Sequence, residues 1–384
     1  MQATPVVVNT AVAEHVEVLC AARGRRLGIV ERVGHAYSLD RLLRDAINHN
    51  PHCARGERKE VFEKSNAFQP PAHLSMNTKP RRKRVQLILN GKVAANDALR
   101  AAVARQRKAG HRIQVRVTWE KGDARQFVSE AGNVDLLIAA GGDGTVNEVL
   151  HGLMDMPRGS RPSLGIVPLG TANDFAIGCG IPRDPAKALA LCMKAAGVPI
   201  DVGKANGHWF INAASSGFGA EITATTSPDL KRLLGPAAYT VMGAILAISL
   251  HHYQGRLILP NREITGNGPV AIVGNGRQTG GGIKVAPRAC IDDGLLDVLV
   301  VRPISPTALL AAARELQQLP ADGEYVSYWQ TPWLEVHSEE AIPVNLDGEP
   351  LRFSTVRYEA VPKAISLILP PNCELLSQRP RLKA

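Results

Sequence analysis

Gly141-Gly142-Asp143-Gly144-Thr145-Val146-Asn147-Glu148 sets three glycines, an acid and a hydroxyl between the apolar run Asp135–Ala140 and residues with helical spacing, Val146, Val149, Leu150 and Leu153. Glycines where a strand turns into a helix let backbone N–H groups approach an anion, and the helix start adds unpaired donors and a positive dipole end. This is phosphate-handling chemistry that needs no lysine. Asp143 would repel a phosphate, so its use is to organise the loop or to reach a hydroxyl or a metal ion. Neither the Gly-Lys-Ser/Thr ending of a Walker loop nor the glycine spacing of a dinucleotide fingerprint is present. About thirty residues on, Leu164–Val167 followed by Leu169-Gly170-Thr171-Ala172-Asn173-Asp174-Phe175 repeats the arrangement. Two such bends at the carboxyl ends of neighbouring parallel strands can face one ligand.

Two further acidic turns lie downstream. Asp347-Gly348-Glu349 sits between two β-like runs, where Asp-Gly is a strong hairpin signal that would hold both acids at a fixed tip. Ala289-Cys290-Ile291-Asp292-Asp293-Gly294-Leu295 offers one carboxylate and several carbonyls, a donor set suited to a hard cation such as Mg²⁺.

In their order along the chain these motifs resemble the diacylglycerol-kinase-type catalytic domain, and most of all the bacterial YegS-type lipid kinases. The likeness runs from roughly Arg84 to Leu376. It includes Leu87-Ile88-Leu89-Asn90-Gly91-Lys92, Val117-Thr118-Trp119-Glu120-Lys121-Gly122, Gly274-Asn275-Gly276-Arg277-Gln278 and Asn345–Leu351. The resemblance implies an ATP- and Mg²⁺-dependent transfer of the γ-phosphate to a lipid hydroxyl. It makes Glu349 the proton acceptor with Asp347 in support. Nucleotide contacts map to Thr118, to the loop Gly142, Asp143, Gly144, Thr145, Val146, Asn147 and Glu148, and to Thr171. A second-domain cation, Mg²⁺ or Ca²⁺, maps to the Asp293 side chain and the carbonyls of Cys290 and Leu295. A phosphatidylglycerol-like headgroup is the favoured acceptor. Diacylglycerol or a sphingoid base, NAD through a related Gly-Gly-Asp-Gly-Thr loop, and a non-catalytic lipid- or nucleotide-binding regulator are the alternatives.

The elements that must position these residues fall into two groups. Strands expected at Val85–Asn90, Arg112–Trp119, Asp135–Ala140 and Leu164–Val167 alternate with helices near 94–109, 122–131, 145–155 and 184–196, the pattern of a doubly wound parallel α/β domain over 85–204. From about Gly207 the chain becomes strand-rich, with runs at 208–214, 256–259, 270–274, 296–302, 334–337, 342–346, 352–359 and 364–369 and helices near 219–226, 236–251 and 305–317. This predicts a mainly antiparallel β-sandwich domain over 205–369, with the cleft between the two. A tail, 370–384, can return to the first domain.

Charge and composition bound the partners. Residues 1–84 hold 15 basic and 8 acidic residues, leaving 30 and 27 for the rest, so the pI of 9.5 belongs mostly to a leader expected to be disordered. The leader could serve as a membrane-surface anchor, as a targeting segment, or lie outside the normal product with Met76 as its start; the last is favoured. Aromatic residues make up only 4% of the chain, which argues against a stacking platform for single-stranded nucleic acid. The cysteines show no Cys-x-x-Cys spacing and the histidines no ligand cluster. They fit a reducing cytoplasm without a histidine-bound metal. The apolar run Ala237–Leu250 is too short to span a bilayer, so a lipid substrate implies transient, peripheral contact with the inner membrane face. No pattern specifies an oligomer.

Overall fold

The computed structural model describes residues 82–216, 254–267 and 270–377. The leader and the expected helices near 219–226 and 236–251 lie outside them. Four parallel strands open the described chain: β1 (Arg84–Asn90), β2 (Arg112–Thr118), β3 (Leu136–Gly141) and β4 (Ser163–Pro168), in sheet order 2-1-3-4. Helices α1 (Asp97–Lys108), α2 (Asp123–Ser129) and α3 (Asp143–Asp155) make the crossovers. α4 (Asp174–Gly178) and α5 (Pro185–Lys194) follow β4. Every residue of β3 is buried, as its unbroken apolar sequence requires of a strand covered on both faces. α1 starts on Asn96, whose side chain accepts from the Leu99 amide, and α5 starts on Asp184, which accepts from Lys187. The order 2-1-3-4 makes the β1/β3 boundary the topological switch point, where a doubly wound sheet opens its ligand crevice.

The remaining strands are mostly antiparallel: β5 (Gly197–Ala205), β6 (His208–Phe210), β7 (Ala213–Ser216), β8 (Gln254–Leu259), β9 (Arg262–Asn267), β10 (Val270–Gly274), β11 (Gln278–Thr279), β12 (Ile283–Lys284), β13 (Leu296–Val301), β14 (Val326–Thr331), β15 (Trp333–Leu346) and β16 (Glu349–Ile368), with α6 (Leu309–Gln318) between β13 and β14. The parallel α/β half and the antiparallel half agree with the expected class. They are joined more closely than two separate layers would be. β16 pairs with β15 along its first half, and Leu367 near its far end aligns parallel with Leu164 of β4, so one sheet runs through both halves.

Several local expectations differ. The four runs expected between 334 and 369 are two long strands, with register shifts between His337 and Ile342 and between Val361 and Ile365 where the pattern broke. Residues 208–214 form two short strands, because the amides of Ile211, Asn212 and Ala213 turn to a carboxylate instead of a neighbouring strand. No expected run corresponds to β5, β9, β11, β12 or β14; the Gly-Val-Pro opening of β5 reads as a turn.

Candidate active site

The first bend begins where β3 ends. A Cβ on Gly141 would come 2.4 Å from Oγ1 of Thr145, so the strand end lies directly against the first turn of α3. Oγ1 of Thr145 accepts from Asn90 Nδ2 at 2.9 Å, and Asn90 Oδ1 accepts from the Lys92 amide, tying the loop to the end of β1 at the switch point. Gly142 occupies the helix-start position of α3, and no side chain caps it. The Thr145 N–H turns back to the Gly142 carbonyl at 3.0 Å, so an anion at this helix start would meet the N–H groups of Asp143 and Gly144.

The second bend touches the first. A Cβ on Gly170 would lie 2.4 Å from Gly142 Cα, and one on Gly142 would lie 3.2 Å from Gly170 Cα. The Leu169 amide donates to the Gly141 carbonyl at 2.8 Å. Asn173, in a left-handed conformation at φ 53°, closes this bend on itself: Gly170 N–H donates to its Oδ1 at 2.9 Å and its Nδ2 donates to the Gly170 carbonyl at 2.6 Å. Thr171 is exposed on the same bend. Asp143 reaches across, its carboxylate accepting from the amides of Asp174 at 3.3 Å and Phe175 at 3.5 Å. Of the uses open to this acid, these contacts are the loop-organising one. Burial, with help from nearby Asp174, pushes its carboxyl above the usual range, and the amides pull the other way.

The other predicted nucleotide residues divide. Thr118, at the end of β2, is buried and its Oγ1 accepts from the Gly91 amide at 3.3 Å. Val146 faces the core. Glu148 accepts from the Gly122 amide at 3.1 Å, holding the β2–α2 loop to α3. Asn147 is buried and donates across to the second half, to Asp347 Oδ2 at 3.1 Å and the Trp209 carbonyl at 3.3 Å.

Asp347 and Gly348 form a two-residue hairpin tip with φ values of 50° and 96°, the left-handed pair that Asp-Gly adopts readily. The Asp347 carboxylate does not face the cleft as an open acid. It accepts from Ile211 at 2.7 Å, from Asn212 and Ala213 at 3.0 Å each, and from Asn147. Burial pushes its carboxyl up, and the four N–H donors oppose this by favouring the ionised form, which alone accepts from all four. Asp347 is therefore a clasp between α3, the β6–β7 turn and the β15–β16 hairpin. It holds the adjoining Glu349 at a fixed place. Glu349 is half-exposed and forms an ion pair with Lys121 of the β2–α2 loop.

At the second acidic turn, Asp293 Oδ1 accepts from the Leu295 amide at 3.0 Å. Burial foremost, then the charges of Asp201 and Asp292, push the Asp293 carboxyl up. Asp201 is committed to the amides of Gly294 and Lys363, and Asp292 to Ser377. Among the described residues no group of three or more His, Cys, Asp or Glu side chains converges as a metal site. The expected donors, one carboxylate and two main-chain carbonyls, are oxygens of the type a hard cation takes. Asn90, Lys121, Asp174 and Asp201 carry no role that the sequence alone assigns. Asp174 accepts at Oδ2 from the Gly281 amide at 2.8 Å, tying the tip of the β11–β12 hairpin to α4. Their parts depend on partners far along the chain, which no local pattern reveals.

Comparison with known proteins agrees with this arrangement. The diacylglycerol kinase catalytic domain matches residues 84–205, and the YegS C-terminal NAD kinase beta sandwich-like domain matches residues 212–369. The Chromohalobacter salexigens protein named "Probable lipid kinase YegS-like" is 47% identical over 298 residues, 76% of this chain and 95% of that protein. The Pseudomonas aeruginosa protein of the same name is 46% identical over 305 residues, 78% of this chain and 98% of that protein. A crystal structure of a diacylglycerol kinase from Bacillus anthracis superposes with a TM-score of 0.61 at 28% identity, covering 76% of this chain and 98% of that one. With two touching glycine bends at the switch point, an acidic hairpin clasped to the helix that follows the first of them and relatives matched over nearly their whole length, the chain belongs to the YegS-like lipid kinases, enzymes built on the diacylglycerol kinase catalytic domain.

Proposed function

We propose that the protein transfers the γ-phosphate of ATP to a hydroxyl of a membrane glycerolipid, with a phosphatidylglycerol-like headgroup as acceptor. The observation that carries this reading is the contact between Gly142 and Gly170, which gathers the bare main chain of both bends at one crevice. Phosphoryl transfer relies on positioning and charge stabilisation. Main-chain amides at Gly142, Asp143 and Gly144 hold the polyphosphate, with Thr118 and Thr171 at its flanks. Glu349 accepts the proton of the lipid hydroxyl as its oxygen bonds to the γ-phosphorus; the bond to the bridging oxygen breaks, and ADP leaves with the electron pair. Asp347 keeps Glu349 in place. A divalent cation arriving with ATP offsets phosphate charge. The carbonyls of Cys290 and Leu295 with the Asp293 carboxylate would hold a second cation, which ties down the turn before β13.

No helix among the described residues is long and apolar enough to cross a membrane. We read the enzyme as acting where its ATP is, on the cytoplasmic side, and touching the bilayer to reach its acceptor. Incubation with labelled ATP and, separately, vesicles containing phosphatidylglycerol, diacylglycerol or a sphingoid base, or NAD in solution, tests the reading. Label is expected in the organic phase, most strongly with phosphatidylglycerol. Stronger label on another lipid moves the acceptor assignment, and label in NADP alone overturns it.

A further inference from the structure

Lys121 has no part in the reaction drawn above, yet it joins the candidate base to the nucleotide half. Its ammonium pairs with Glu349 across 228 residues of sequence. The loop that carries it is built rather than loose. Asp123 Oδ2 accepts from the amides of Trp119 at 2.6 Å and Glu120 at 3.0 Å. Gly122 takes a left-handed φ of 97° and donates to Glu148 of α3. Lys121 is thus fixed, one residue away, to the same helix whose start forms the first phosphate bend.

Its partnership is an exposed one. The Lys121 side chain is 74% accessible and that of Glu349 is 42% accessible. Such a pair is held weakly and yields to a stronger anion. A bound nucleotide brings that anion to the start of α3. While the pair persists, a lipid hydroxyl must compete with an ammonium for the carboxylate.

We propose that Lys121 exchanges partners: it holds Glu349 when the crevice is empty and moves to the terminal phosphate when ATP seats, freeing the carboxylate for the acceptor hydroxyl. This rests on the reading of Glu349 as proton acceptor. It would supply the side-chain cation that the glycine loop lacks, and it would make the base available only when a γ-phosphate is present.

The exchange has a signature opposite to that of a merely structural contact. Because ATP must break the pair, Glu349→Gln should bind ATP more tightly than the wild type, by about two- to fivefold, the range expected for an exposed ion pair. ADP, which lacks the terminal phosphate, should bind the two proteins equally. Lys121→Met should weaken ATP binding, Lys121→Arg should restore it, and the double variant should match Lys121→Met. Calorimetric titration of each protein with ATP and with ADP, with thermal melts to confirm folding, reads all of this. Unchanged or weaker ATP binding by Glu349→Gln, an equal gain for ADP, or a gain that survives in the double variant overturns the exchange. Lipid phosphorylation by the same proteins separates the two claims: normal turnover by Glu349→Gln removes the base assignment, whereas its loss without the affinity pattern removes the exchange alone.

Discussion

At the scale of single residues, the crevice depends on atoms that are missing. Gly170 has no room for a side chain, because its Cβ would stand 2.4 Å from the Gly142 backbone, and backbone cannot swing aside as a flexible side chain can. Gly170→Ala is expected to part the two bends. The KM for ATP should rise at least about tenfold, a loss of roughly 1.4 kcal/mol, while circular dichroism stays unchanged; steady-state kinetics checks it. Asp347→Asn tests the clasp. An amide cannot accept from all four donors, and each one left unpaired costs about 1–3 kcal/mol. Urea denaturation should show the loss, with turnover falling because Glu349 loses its seat. The acids and glycines of these motifs were legible in sequence because turn chemistry is local. The partners through which Asp347 gives its support were not, since Ile211, Asn212 and Ala213 lie more than 130 residues away.

At the scale of elements, strands and helices with strong periodicity were readable, and those set by distant partners were not. β3 and β4 announce themselves by unbroken apolar runs. β5 gains its strand character from β16, and the gap between β6 and β7 from Asp347. A similar device fixes α6 to β14. The Glu315 carboxylate accepts from the amides of Glu324 at 3.0 Å and of Tyr325 and Val326 at 2.8 Å each. Burial pushes this carboxyl up, but the three amides outweigh it and hold it below its usual 4.5. The ionised form is therefore favoured by folding. Its stabilisation is complete above about pH 4.5 and is lost as pH falls through the depressed folded value. Glu315→Gln should lower stability near neutral pH by about 0.5–1.5 kcal/mol and flatten the acid limb. Denaturation midpoints measured from pH 3 to 7 test both.

At the scale of the whole described region, one sheet carries both halves, and β16 belongs to each. Melting one half would strip β16 of partners in the other. Calorimetry should therefore show a single transition for residues 82–377. ATP at a hundred times its Kd should raise the stability of that whole transition by about 2.7 kcal/mol; two separated peaks, only one moved by ATP, would contradict this. The class of each half was legible in the alternation of strands and helices, but their continuity was not, because it rests on a single late strand running from the acidic hairpin to β4.

The same strand begins at Glu349, which is why the reaction can be tested there most directly. Turnover of labelled ATP with phosphatidylglycerol vesicles should fall by about 10²- to 10⁴-fold in Glu349→Gln, the contribution expected of a positioned proton acceptor, while ATP still binds. Lipid phosphorylation within threefold of the wild type would show that the proton goes elsewhere, and the account of this site would fail.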